Sequence, residues 1–379
     1  MVTSTRSSDT KGDATAVESS DLAAGTKHQI EEKASPESKR PKKADEKTQK
    51  TIDETMPGVV PSKDESHEDE PSNDGKRDEG EQAQPDEKNG SAEEPNAREG
   101  RTPANILEKG IIYFFFRSRV GIEEPSSVNE VARSYIVLRP IAKDAKLGEG
   151  TIGDAGNSRL IAIPKKVLPL SGKDRWIAFV EKSNTTFQTL KDDFLAASDY
   201  ATKTAGTRHT PAATPVGEGI YAITTTGREN HLAYMLTIPS ELGEVQNDVG
   251  LRERGSFIIS TRNPDYDAPR NVALPQGADY PKEVKDEFRS LRWMATNPGH
   301  LDYVNTQFLL IGESSGLDKA TEPQKEDQKN GKDEPLEELE KLEDEDTHRM
   351  EDLKGDDSAA IYGDLEVHAK DYPKLQTTF

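Results

Sequence analysis

The sequence predicts an α+β fold: a mostly antiparallel β-sheet or barrel-like core with about three short helices, flanked by disordered acidic tails. Three observations carry this expectation. Eight apolar, β-rich runs crowd into residues 104–313. Only three stretches there show helical spacing, and they do not alternate regularly with the strands. The chain is 379 residues long with a formal net charge of -21, and that charge is partitioned. Residues 1–103 hold 16 Lys and Arg against 25 Asp and Glu, net -9; residues 104–313 hold 25 against 26, net -1; residues 314–379 hold 9 against 20, net -11. A balanced middle of this length is enough to bury a sizeable core.

The strand runs are IIYFFFR (111–117), SYIVLRP (134–140), RLIAIP (159–164), RWIAFVE (175–181), GIYAITT (219–225), HLAYMLTIP (231–239), GSFIIST (255–261) and TQFLLIG (306–312). Ile, Val, Phe and Tyr dominate them, and Gly, Pro, Asn or Ser bound them. In HLAYMLTIP, Leu232, Tyr234, Leu236 and Ile238 alternate onto one face, as a half-buried antiparallel strand requires.

Helical spacing appears in NTTFQTLKDDFLAA (184–197), where Phe187, Leu190, Phe194 and Leu195 share a side. SELGEVQNDVG (240–250) offers Ser240 as an N-cap and Gly250 as a stop. YPKEVKDEFRSLRW (280–293) places Pro281 near its first turn and gathers Val284, Phe288 and Leu291. The rhythm of strand, turn and proline-ended strand in the first pair of runs recurs in GIYAITTTGREN…AYMLTIP, which points to a two-fold pseudo-repeat.

The flanks read differently. Residues 1–103 are rich in Ser, Thr, Glu, Asp, Lys and Pro and nearly lack aromatics, so they bury too little apolar area to offset ordering entropy. Within them SPESKRPKK (35–43) gathers Lys39, Arg40, Lys42 and Lys43 into a nuclear-import candidate, with a chance cluster in a lysine-rich tail as the alternative. Residues 314–379 are expected to form a largely disordered acidic tail, with a short helix over 335–354 carrying Leu336, Leu339, Leu342, Met350 and Leu353. The last stretch, IYGDLEVHAKDYPKLQTTF, reads either as a short docking peptide or as a strand returning to the core.

There is no cysteine, which excludes disulfides and thiolate zinc sites. IIYFFF is far short of the ~20 apolar residues that span a bilayer. No membrane partner is therefore expected. The motif matches lack their contexts. GEGTIG (148–153) runs into a loop and a strand instead of opening a helix, so it is no dinucleotide cradle. GESSG (312–316), with Ser314, lacks the helix that a nucleophile elbow needs. His209, His231 and His300 show no metal-ligand spacing. No cofactor, no metal and no catalytic residue is predicted.

The strongest site candidate is the loop TKTAGTRHTPAATPVGEG (202–219). Lys203, Arg208 and His209 supply donors, Pro211 and Pro215 stiffen the chain, and glycines flank Glu218. Arg117 and Arg139, near other strand ends, could converge on it to hold an anion. The alternative is that Pro and Gly only shape a strand connection, with Arg208 and Glu218 paired at the surface.

ANILEKGIIYFFFRSRVG, YATKTAGTRHTPAATPVGEGIYAI, HLAYMLTIPSELGEVQ and LDYVNTQFLLIGE resemble an uncharacterised fungal protein family, sometimes labelled "BTB domain transcription factor". The resemblance covers about residues 104–313 and implies a β-rich core behind a disordered N-terminus; it supplies no active site to transfer. The label implies a transcription-associated role. With a core of net -1 between acidic flanks and no zinc finger, that role would run through protein partners, basic nuclear proteins among them, and not through DNA. The expected function is a non-enzymatic nuclear interaction protein. The alternative is a cytoplasmic or nuclear small-molecule or anion-binding domain, and even an enzyme, built on the 202–219 loop.

Overall fold

A computed structural model describes residues 93–203, 206–267, 276–352 and 357–379. The basic cluster at Lys39–Lys43 and nearly all of the expected N-terminal tail lie outside the described residues. In chain order the strands are β1 (Glu93–Glu94), β2 (Ile106–Ser118), β3 (Val131–Ile141), β4 (Lys146–Leu147), β5 (Ser158–Ile163), β6 (Arg175–Thr185), β7 (Ser198–Thr202), β8 (Gly206–Thr210), β9 (Thr214–Thr225), β10 (Asn230–Ile238), β11 (Arg254–Arg262), β12 (Trp293–Ala295) and β13 (Gln307–Gly312). The helices are α1 (Phe187–Leu190), running into a π-turn at Lys191–Leu195, α2 (Glu244–Val249), α3 (Lys282–Phe288), α4 (Lys325–Lys329), α5 (Pro335–Asp352) and α6 (Asp357–Asp364).

Eight strands close into an antiparallel barrel in the order β2, β3, β5, β6, β13, β11, β10, β9 and back to β2. These are the eight predicted runs. The short β12 adds to the free end of β11. The fold class is therefore α+β with a barrel core. Its connectivity is two four-strand meanders, β2-β3-β5-β6 and β9-β10-β11-β13. Their first strands pair with each other, and so do their last. That is the arrangement a two-fold pseudo-repeat produces.

Alternation sorts each strand into an inner and an outer face. Ile112, Phe114 and Phe116 of β2 point inward, with Ile136, Leu138, Ile161, Val180, Ile223, Leu232, Phe257, Ile259, Phe308 and Leu310 around them. Tyr234 bridges this interior, with its ring 5.1 Å from that of Phe114 and 5.6 Å from that of Phe257. Ile111, Tyr113 and Phe115 point outward and are equally buried, in one cluster with Leu339 and Leu342 of α5, Ile361 and Tyr362 of α6 and Leu365 just after it. Burial on both faces is why IIYFFF is an unbroken apolar run. At one mouth Arg159 joins Glu108 at 2.7 Å and Asp302 at 2.7 Å, and the Tyr221 hydroxyl donates to Glu108 at 2.7 Å. At another point the wall meets Leu168, Val249 and Leu251, and the space left there is about 10 Å³, on the scale of one water.

The three predicted core helices are present, but α3 ends at Phe288 and Leu291, expected on its apolar side, is exposed. Gly250 ends α2 at φ 83°, as expected, but the N-cap is Gly243 and not Ser240. The expected partition fails on both flanks. β1 pairs with β4, and the Asp333 amide donates to the Arg101 carbonyl, so residues 93–103 belong with the core. The stretch 314–379, expected to be largely disordered, folds onto the barrel as α4, α5, α6 and an extended end. The helix of 335–354 is α5, over Pro335–Asp352, but its hydrophobic stripe is only partly right. Leu339 and Leu342 are buried, Leu336 is exposed, and Leu353 lies outside the described residues. The stripe is completed by Glu338, Asp346 and Arg349. Composition misjudged this segment because the charges it buries are paired: Glu338 with Lys109 of the wall, Asp346 with Arg349, and Arg349 with Glu218 of the wall.

Candidate functional site

The outer wall of β2, β3, β9 and β10 carries the charge cluster. Antiparallel register sets Tyr113 on β2 opposite Glu218 on β9, and β3 brings Arg139 beside them. Glycines flank Glu218, as the sequence shows, but what approaches is the next strand. A Cβ at Gly219 would stand 2.0 Å from the Met235 carbonyl oxygen. From outside, helical spacing puts Asp346 and Arg349 on the same face of α5 as Leu339 and Leu342. Asp364 closes α6.

The side chains meet in one network. Arg349 Nη2 is 3.2 Å from Glu218 Oε1 and 2.5 Å from Asp346 Oδ1, and Arg349 Nη1 is 2.5 Å from Asp364 Oδ1. The Tyr113 hydroxyl donates to Asp364 Oδ2 at 2.7 Å, and Thr237 Oγ1 donates to Asp346 Oδ2 at 2.7 Å. Arg139 Nη1 lies 3.5 Å from Asp364 Oδ2, while its Nη2 donates to the carbonyls of Ile152 and Gly153. The Arg139 guanidinium sits 4.4 Å from the centre of the Phe187 ring. A second cluster joins it along α5. Lys109 Nζ reaches Glu338 at 2.7 Å, Arg98 Nη1 reaches it at 2.5 Å, and Arg98 also pairs with Glu345.

Charge counting leaves one negative charge in excess. Three carboxylates face two guanidiniums in the first network. Burial pushes the Glu218 carboxyl well above the usual range, and Asp364 and Asp346 push it further against the pull of Arg349 and Arg139. Its Oε2 has no hydrogen-bond partner. A proton on Glu218 would balance the set. Burial likewise raises Asp346, and burial with Asp364 nearby raises the Tyr113 phenol. For Arg349, burial opposes the charge, but Asp364, Asp346 and Glu218 outweigh it and raise its pKa. Apart from Glu218 Oε2, these groups pair with each other, and the arrangement clamps α5 and α6 to the barrel.

The six predicted binding residues fall into three places. Glu218 and Arg139 share the buried network. Arg208 and His209 lie on the β7–β8 hairpin, with Lys203 in its turn; Lys203 and Arg208 are exposed. His209 Nδ1 is 2.7 Å from Asp199 and its Nε2 is 3.8 Å from Glu123. Arg117 donates to the Phe194 carbonyl and lies 5.5 Å from that residue's ring centre. Glu218 pairs with Arg349, not with Arg208. Arg349, Asp346, Asp364, Lys109 and Glu338 escaped the sequence reading. For Glu338, Asp346 and Arg349 the signal was the continuation of the Leu339–Leu342 stripe into charged positions of α5; Lys109 and Asp364 carried no such local signal.

Two surface clefts flank α5 and the chain end. One, of about 560 Å³, is lined by Glu94, Lys146, Glu149, Asp344, Glu345 and His348, with Arg349 also contributing. The other, of about 420 Å³, runs beside Glu123, Glu124, Pro125, Thr214 and Pro373–Phe379. Among the described residues no group of three or more His, Asp or Glu is placed to hold a metal ion, and no helix is long and apolar enough to cross a membrane. GEGTIG leads through a loop into β5, and Ser314 is exposed in a turn after β13. Comparison with protein-family models, with curated proteins and with solved structures finds no match.

Proposed function

We propose that the protein is a non-enzymatic interaction module that works in the nucleus, in association with transcription, through protein partners bearing basic segments. The observation that carries this reading is the contrast between a filled barrel and an acidic outer cleft. The barrel interior is occupied by Phe114, Tyr234, Phe257 and their neighbours, which leaves no ligand-sized space where small barrels hold ligands. The 560 Å³ cleft presents Glu94, Glu149, Asp344 and Glu345 against Lys146 and His348. Acidic groups outnumber basic ones in this lining even with Arg349 counted and Glu345 paired to Arg98, and an excess of one sign in a cleft draws the opposite sign. The anion-binding alternative has less support, because Arg117, Arg139 and Arg208 do not converge.

A fluorescent oligolysine peptide titrated into the full chain tests the cleft. Binding should weaken as salt rises, and Glu149→Lys with Asp344→Lys should weaken it at least tenfold. Salt-independent binding, or none, together with an affinity capture that recovers no nuclear protein, would overturn the reading. Nuclear entry is assigned to Lys39, Arg40, Lys42 and Lys43; unchanged cellular distribution after reversing their charges would remove that part.

A further inference from the structure

The final residues, Pro373–Phe379, run extended across the start of β9 and the first turn of α2. The contacts they make are largely through the main chain. The Gln376 amide donates to the Pro215 carbonyl at 3.2 Å, and the Val245 amide donates to the Thr377 carbonyl at 3.1 Å. Gln246, fully buried, donates from Nε2 to the carbonyls of Gln376 at 2.8 Å and Val216 at 2.9 Å. Its Oε1 accepts from the Gly243 amide at 3.0 Å, which fixes the amide group's orientation. Gly243 has no room for a side chain, since a Cβ there would stand 2.3 Å from the Thr377 carbonyl oxygen. A buried glutamine reading one carbonyl from the wall and one from the segment is a device for holding an extended peptide whatever its side chains.

Two side chains add anchors. Leu375 packs against the outer core, and Phe379 against the inner core at the barrel mouth. Yet every residue of Pro373–Phe379 keeps some exposed surface, and the cleft of about 420 Å³ continues open alongside. Few buried contacts and part-exposed hydrogen bonds place a segment at the low end of local stability.

We propose that this groove is a docking site for an extended segment of a partner protein, and that the chain's own Lys374–Phe379 occupies it as an intramolecular competitor. The partner segment carries the same chemistry: an aliphatic residue, neutral polar residues and an aromatic four positions after the aliphatic one. A basic residue before the aliphatic one suits Glu123 and Glu124, which line the same cleft as Lys374. Tethering gives the resident segment a high effective concentration, so a partner gains access by exceeding it or after the end is released. The site is separate from the acidic cleft, and its binding is independent of Glu149 and Asp344.

The test uses a fluorescein-labelled peptide of sequence Lys-Leu-Gln-Thr-Thr-Phe. Anisotropy should show no binding to the full chain and saturable binding to a chain lacking residues 374–379. In that background Gly243→Val should raise Kd at least tenfold, and Glu149→Lys with Asp344→Lys should leave it unchanged. A truncated chain that keeps its circular dichroism and cooperative melting but does not bind overturns the proposal. If truncation unfolds the protein, the full-length Leu375→Ala, Phe379→Ala double variant takes its place; it should bind the peptide, and failure to do so overturns the proposal equally. Dimers of the full chain that separate on truncation would assign the groove to a second copy and overturn the partner reading.

Discussion

Arg349 and Glu218, 131 positions apart, meet at 3.2 Å between α5 and the barrel wall, and neither side chain has any exposed surface. Arg349 also holds Asp346 and Asp364. Removing it strands buried carboxylates, and breaking a buried network in this way costs about 3–5 kcal/mol. Arg349→Met should therefore lower the urea midpoint sharply. Arg349→Lys should recover little, because a single ammonium lacks the planar fork that reaches three carboxylates. Equal stability of Arg349→Lys and the parent would refute the clamp.

Glu218 sets the pH dependence. Its unfolded-state reference is 4.5, and burial beside Asp364 and Asp346 raises the folded value well above that. A group raised in the folded state contributes stability that is full below the unfolded value and is lost as pH rises through the folded one. Glu218→Gln cannot ionise and escapes this loss. Its melting temperature should exceed the parent's by a margin that widens from pH 5 to pH 8. Asp346 is raised in the same sense but is present in both proteins. A margin that narrows with pH would refute the raised folded value of Glu218.

Lys109 and Glu338 are each 1 % exposed and 2.7 Å apart, so they should couple. In a double-mutant cycle with Lys109→Met and Glu338→Leu, the paired change should cost less than the two single changes summed, by about 0.5–3 kcal/mol. Additive effects would mean the pair does not help to seat α5.

Inside the barrel, Phe114→Ala should cost about 3–5 kcal/mol by deleting a ring that packs against Tyr234 and leaving a cavity. Arg208→Ala, on the exposed hairpin, should stay within about 0.5 kcal/mol of the parent. Chemical denaturation of both variants checks the contrast; similar losses would mean the hairpin is more tightly integrated than its exposure indicates.

The barrel was legible in the sequence because its signals are local. IIYFFFR, HLAYMLTIP and TQFLLIG declare strands by residue type and boundary, and the repeated pairing rhythm foretold two equivalent meanders. The site was less legible. Glu218 and Arg139 were singled out as candidates, but their partners Arg349 and Asp364 lie over a hundred positions away, and only tertiary pairing makes them internal. In α5 the helical periodicity of buried positions passes through Glu338, Asp346 and Arg349. A count of hydrophobic residues cannot see a face that is buried by being paired. The same blindness made an acidic, charge-rich stretch read as solvated when its charges are matched.

The strand order also has a consequence for synthesis. When the chain has emerged only as far as β6, the first meander offers two naked hydrogen-bonding edges, β2 and β6. Such edges invite pairing between nascent chains. The first is covered by β9 and the second by β13, whose first residue comes 201 positions after β2 begins (307 against 106). Ribosomes that stall or terminate ahead of position 307 should therefore yield aggregates and not a smaller soluble barrel.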